Sequence, residues 1–256
     1  YGIAQLSLNL TNINICSVHR AFDEAAEKAA ARGVRVTGSE IVGLIPKKVL
    51  IEAAHHYLTK QERSHGISDE EKIKIAVKSL GLDDLTPFNA NEKVIEYMIE
   101  DSRNSSSLVS MTLEDFANET ASESPAPGGG SISAYCGALG AVLSTMVANL
   151  SANKRGGDDT WEFYSNWGEQ SRGYQNKLVS LVDEDTLAFN KIMEAISLPT
   201  DSPEQKKIRS IALQNATKYP IEDPFQIMQT AFACLESIKS MAELGNPNSI
   251  SDAGVT

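Results

Sequence analysis

No histidine lies beyond His65; the four in the chain are His19, His55, His56 and His65. The larger part of the chain therefore cannot build a His-ligated metal site or a Ser-His-Asp triad from its own residues. Acid–base chemistry there falls to carboxylates, Lys, Tyr or Cys. Cysteine is scarce: Cys16, Cys136 and Cys234 are far apart and odd in number, with no CxxC pair. That excludes a full disulfide framework and fits a reducing, cytoplasmic compartment. Basic residues are outnumbered 23 to 34, giving a net charge of −11. Such a balance argues against nucleic acid, whose binding needs a basic face. No charged n-region followed by an apolar h-region opens the chain, so no signal peptide is expected. The first residue is Tyr1 rather than Met, and both ends read as cut. No solenoid-period repeat is present. What remains is 256 residues, 41% hydrophobic and 22% charged: a globular chain with one large domain or two smaller ones.

The charge divides the chain. Residues 1–110 carry 13 basic and 15 acidic side chains, whereas residues 111–256 carry 10 and 19. Polar Asp101-Ser-Arg-Asn-Ser-Ser-Ser107 between them reads as a linker, placed at 101–110. The first part predicts an α+β layer of a small sheet with helices (1–100). Ile3–Leu10 alternates like a strand, and Val34–Leu44, interrupted by Gly38 and Gly43, reads as two short strands. Ser17–Arg32 is a helix stopped by Gly33, Pro46 starts another through Tyr57, and Ser68-Asp-Glu-Glu71 caps a third ending at Gly81. Val94–Ile99 reads as a last strand.

The second part predicts helices throughout, hence an all-α bundle. Thr112-Leu-Glu-Asp115 caps a short helix, and Ser131–Asn153, Trp161–Ile196 (broken near Gly173), Pro203–Lys218 and Ile221–Leu244 follow. Ser124–Asn153 holds no charged residue and is long enough on paper to span a bilayer. Its serines, threonine and asparagines, its reliance on alanine and the lack of an aromatic belt favour a buried bundle helix instead, with no membrane partner.

Two features carry candidate chemistry. Gly128-Gly-Gly-Ser131 opens the uncharged helix, where glycines allow close backbone approach and a helix N-terminus favours an anion; the bland alternative is a flexible entry loop. Asp185 falls inside the apolar stripe Leu178, Val182, Phe189, Ile192, Ile196. A carboxylate on a buried face loses solvation unless a partner compensates, which suits either proton transfer or a helix–helix pairing. Asp183 and Glu184 point elsewhere on the wheel and read as solvated or peripheral. Lys154-Arg155 complement the end of the uncharged helix or meet a carboxylate ligand, and Arg209 stands in the basic face Lys206-Lys207-x-Arg209. His55 and His56 project about 100° apart and cannot chelate as an i, i+4 pair.

Ala126-Pro-Gly-Gly-Gly-Ser131, Met146-Val147, Leu181-Val-Asp-Glu-Asp185 with Ala188-Phe189, and Gly245-Asn-Pro-Asn-Ser-Ile-Ser-Asp252 resemble the cyclodeaminase domain of the formimidoyltransferase-cyclodeaminase family. Asn9-Leu-Thr11, Val34–Pro46, Leu80-Gly-Leu82 and Pro87-Phe88 resemble the end of its formiminotransferase domain. The resemblance covers essentially the whole chain, and implies 1–100 as the transferase end and 111–256 as a cyclodeaminase-type bundle truncated at its C-terminus. It implies folate-linked histidine degradation: transfer of a formimino group from formiminoglutamate to tetrahydrofolate, then closure to 5,10-methenyltetrahydrofolate with release of ammonia. The family's cyclodeaminase aspartate falls on Asp185, with Asp183 two residues away as the alternative. Gly128, Gly129, Gly130, Ser131, Lys154, Arg155 and Arg209 match the family pattern and are inferred to bind folate. Polyglutamylated tetrahydrofolate is the implied substrate, with no metal and with a homo-oligomer expected. None of the four histidines inherits the transferase's catalytic role, because that residue lies in the upstream half of the domain. Methenyltetrahydrofolate cyclohydrolase activity, the transferase as the principal activity, and a non-catalytic oligomerisation scaffold stand as alternatives.

Overall fold

Apolar residues recurring every three or four positions dominate both halves, and helices are what they form. The computed structural model describes residues 4–101, 107–124, 126–153 and 160–255. The chain divides into two units, 1–103 and 104–256.

In the first unit α1 (Val18–Ala30) ends before Gly33, whose φ of 76° no branched residue adopts easily. Pro46 precedes α2 (Lys47–Lys60), and the Ser68 hydroxyl accepts the Glu71 N–H to cap α3 (Asp69–Ser79). Two short helices follow, α4 (Ala90–Lys93) and α5 (Ile95–Asp101). Val49, Leu50, Ala53, Ala54, Tyr57, Ile73, Ala76, Val77, Leu80 and Val94 form its core.

The expected sheet is not there. Among the described residues no strand forms; a single parallel bridge joins Ile45 to Val94. Alternation supplies a face, but a strand also needs a neighbouring edge to take its N–H and C=O groups. Leu6, Leu8, Val34 and Leu44 stay exposed, and Val42 is 91% exposed. The Val34–Leu44 segment instead lies along the turn after α3. There Ser39 N–H donates to the Gly81 carbonyl at 2.9 Å, and a Cβ on Gly38 would come within 3.0 Å of Asp84 Cβ. The segment read as a last strand becomes α5 from Ile95 onward, because beyond the single bridge at Val94 it has no partner edge and its five apolar and aromatic residues satisfy helical spacing equally well.

In the second unit Thr112 caps α6 (Leu113–Thr120) through the Asp115 N–H. The central elements are α7 (Gly129–Ala152), α8 (Trp161–Ser197), α9 (Pro203–Ala216) and α10 (Tyr219–Leu244), closed by α11 (Ile250–Val255). The 37-residue α8 runs unbroken through Gly173. A mid-helix glycine costs about 1 kcal/mol, which packing along α7 outweighs. By length and composition α7 alone among the described helices is apolar enough to cross a membrane. Here Ala134, Ala138, Ala141, Val147 and Ala148 are buried, small enough to let α8 and α10 approach closely. Ala134 and Ala138 pack with Leu178, Leu181, Val182 and Ile227, and Val147 and Ala148 with Met241 and Ala253. The apolar stripe predicted on α8 is buried at Leu178 and Val182 but not at Ile196; Leu181, Ala188 and Ala195 complete the buried face.

Candidate functional site: Asp185 at the N-terminus of α7

The first turn of a helix leaves backbone N–H groups without intrahelical acceptors. At α7 this turn is Gly129-Gly-Ser131, entered through the cis Ala126–Pro127 bond and Gly128. The antiparallel α8 brings Asp185 against it. Asp185 Oδ2 accepts the Ser131 N–H at 3.0 Å and the Ser131 hydroxyl lies 3.1 Å away. The same hydroxyl is 2.9 Å from the Val182 carbonyl and 3.3 Å from Thr186 Oγ1, so the fully buried Ser131 pins α7 to this turn of α8.

Gly130 admits this approach. A Cβ there would stand 2.1 Å from Asp185 Oδ1 and 2.5 Å from its carboxyl carbon. Nothing lies within 4 Å of a Cβ at Gly128 or Gly129. The glycine run thus serves two purposes. Gly130 makes room for the protein's own carboxylate, while Gly128 and Gly129 leave open backbone beside it. The anion at this helix N-terminus is internal, which the motif alone did not reveal.

Asp183, two residues earlier, is engaged elsewhere. It accepts Ser107 Oγ at 2.6 Å and the Leu108 N–H at 2.7 Å, holding the 3-10 turn Leu108–Ser110 to α8. The helical wheel read it as solvated or peripheral; it is half-buried, and its two oxygens are committed to that turn. Glu184 lies 3.8 Å from Lys177. Arg209 is half-buried on α9, with no ion-pair or hydrogen-bond partner among the described residues. Lys154 and Arg155 lie outside the described residues.

Sequence reasoning missed Asp223. It is 6% exposed on α10, and its carboxyl is pushed above the usual range by burial first, then by Glu184, Asp185 and Glu222. The signal was in the spacing: Asp223 stands four residues before the buried Ile227, on the same face of α10.

The histidines gather in the first unit. Asp23 accepts His56 Nε2 at 2.7 Å, the Tyr57 hydroxyl at 3.2 Å, and Lys60. Burial pushes Asp23 up, but these hydrogen bonds outweigh it and hold the carboxyl below the ordinary range. His19 stacks on His56 with ring centres 4.4 Å apart, and Ser17 Oγ lies 2.9 Å from His19 Nε2. Burial, then the His56 charge, lowers the His19 pKa.

Comparison with known proteins follows the same division. A family model described as formiminotransferase-cyclodeaminase matches residues 112–256, and one described as the formiminotransferase domain matches residues 1–100. Formimidoyltransferase-cyclodeaminase of Mus musculus is 35% identical over 254 residues, 99% of this chain and 47% of that protein. The chain thus spans about half the length of such curated relatives. Methenyltetrahydrofolate cyclohydrolase of Methylorubrum extorquens is 35% identical over 144 residues, 56% of this chain and 69% of that protein. A solved structure, formiminotetrahydrofolate cyclodeaminase from Thermotoga maritima, is 29% identical and covers 56% of this chain and 67% of its own, with a TM-score of 0.47.

Proposed function

The chain belongs to the formiminotransferase-cyclodeaminase family, and from that premise we propose that its helical unit closes 5-formiminotetrahydrofolate to 5,10-methenyltetrahydrofolate and releases ammonia. The observation that carries the reading is Asp185, held by Ser131 beside the open backbone of Gly128 and Gly129.

The chemistry suits a carboxylate. The folate N10 attacks the formimino carbon, N10 gives up its proton, and the resulting aminal expels its amine once that amine is protonated. Asp185 takes the N10 proton, and its negative charge steadies the cationic amidinium and methenyl species. Gly128 and Gly129 let the substrate approach the backbone without a Cβ in the way. Arg209, with Lys154 and Arg155, offers cations for the glutamate carboxylates. Such local cations matter because residues 111–256 carry 19 acidic against 10 basic side chains, a field that repels an anionic folate. Residues 1–100 match the model of a formiminotransferase domain, and we read them as its C-terminal part. In the whole protein that domain would move the formimino group from formiminoglutamate to tetrahydrofolate, in the cytoplasm, as part of histidine degradation.

The likeness to a cyclohydrolase supports a second reading, addition of water to the methenyl species. Incubating the protein with 5-formiminotetrahydrofolate and, separately, with 5,10-methenyltetrahydrofolate separates the two. Ammonia released with methenyl formation supports the first reading; hydrolysis without ammonia release supports the second and removes the first.

A homo-oligomer completes the reading. Ile221, Phe225, Met228, Phe232 and Leu235 stand exposed on α10 at alternating steps of four and three. That spacing makes one apolar seam, suited to a second copy of the chain. Light scattering of the purified protein tests it: a dimer or larger is expected, dissociating in Phe232→Asp, and a monomer would remove it.

A further inference from the structure

The three central helices of the second unit are stacked in layers whose order is read from their contacts. Ser144 Oγ lies 3.1 Å from Ser171 Oγ and 3.4 Å from Ser237 Oγ. A Cβ on Gly137 would come within 3.3 Å of Leu178 and 3.5 Å of Ala231. Ala134, Val182 and Ile227 share the next cluster. Helix α7 therefore steps 144, 137, 134 while α8 steps 171, 178, 182 and α10 steps 237, 231, 227. One turn further along, α7 and α8 present the contact already described, Ser131 with Asp185. One turn further on α10 stands Asp223.

We propose that Asp223 is the second acid–base group of the site, supplying the proton that the departing amine takes while Asp185 receives the one that N10 loses. This rests on the cyclodeaminase reading and adds a residue and a division of labour to it. The residue is 6% exposed and has no hydrogen-bond or ion-pair partner among the described residues. A carboxyl with little solvent around it and no partner is costlier as an anion than in open water and is favoured as a neutral acid. The charged groups around it agree. From α8 it meets Glu184, Asp185 and, opposing them, Lys177; from its own helix it meets Glu222. Helix α7 contributes no charged side chain. Burial and the three acidic neighbours raise its pKa, so it keeps its proton to higher pH than an ordinary aspartate. Two carboxyls in one layer with unlike surroundings form the arrangement in which one takes protons and the other gives them.

The balance closes. The substrate enters as the amidinium; the N10–carbon bond forms as the carbon–nitrogen π pair moves onto the formimino nitrogen to leave –NH2, and the N10 proton passes to the Asp185 carboxylate. The aminal nitrogen then takes the Asp223 proton, the carbon–nitrogen bond breaks, and the N5 electron pair forms the methenyl double bond as ammonia leaves. Transfer of the proton from Asp185 to Asp223 restores the starting state, with one proton moved in all from N10 to ammonia.

The test compares wild type, Asp223→Asn and Asp223→Glu in the protein at its full natural length, measuring ammonia release against pH and helix content by circular dichroism. The expected result for Asp223→Asn is a kcat lower by about 100-fold with KM little changed. Wild-type kcat should fall on the alkaline side as Asp223 loses its proton, and Asp223→Asn should lack that limb. Asp223→Glu, which keeps an acid, should retain activity with the limb displaced. An Asp223→Asn kcat within about 3-fold of wild type with the same alkaline limb would overturn the proposal. So would loss of helix content in that variant, which would make Asp223 structural. A wild-type protein that releases no ammonia would instead remove the cyclodeaminase reading itself.

Discussion

At the scale of single residues, Gly130 and Asp185 define one another. The carboxyl occupies the volume in which any other residue at position 130 would place its Cβ. Gly130→Ala is therefore expected to destabilise the helical unit by about 1–3 kcal/mol, the usual range for overpacking. It should also move Asp185 off Ser131. A melt of this variant should show the loss, while alanine at Gly128 or Gly129, where there is open space, should leave the melting temperature nearly unchanged. Asp185 was legible in the sequence because a carboxylate interrupting an apolar stripe is conspicuous. The work of Asp183 was not, since its partners Ser107 and the Leu108 N–H come from a segment some 75 residues away. Asp223 escaped notice because a single acid beside Glu222 and Pro224 looks like an exposed helix start until its neighbours are known.

At the scale of elements, the helices were readable from their ends. Ser68 and Thr112 each cap the helix that follows, and Ser202, which the sequence reading passed over in favour of Pro203, forms a reciprocal capping box with Gln205. Ser202→Ala should cost about 1 kcal/mol, seen as a fall of a few degrees in melting temperature. Strands were not readable in the same way, because a strand is settled by its neighbour. Val34–Leu44 has the composition of one and lies instead as an extended segment against the Gly81 turn. The α1–α2 pair adds a pH dependence. His19 has a folded pKa below its ordinary 6.5, and Asp23 one below its ordinary 3.8. In both cases the contribution to stability is present above the ordinary value and is lost as pH falls. The first unit should thus melt at lower temperature at pH 5.5 than at pH 7.5, and His19→Gln should flatten that difference; an unchanged difference in the variant would place its origin elsewhere.

At the scale of the whole molecule, two helical units carry the two family matches, one at residues 1–100 and the other at residues 112–256. The sequence suggested a division through its charge and through the polar stretch at 101–107, of which residues 102–106 lie outside the described residues. The absence of histidine beyond His65 fits the site proposed for the second unit, which uses carboxyls, a serine and open glycine backbone. The central claim is that Asp185 moves the proton and does not merely pin α7 to α8. The most direct test is Asp185→Asn, an uncharged side chain of the same shape, assayed for 5-formiminotetrahydrofolate binding and for ammonia release on one preparation. The account predicts binding within a few-fold of wild type and a kcat lower by at least about 100-fold. Ammonia release at the wild-type rate from a folded Asp185→Asn protein would contradict it.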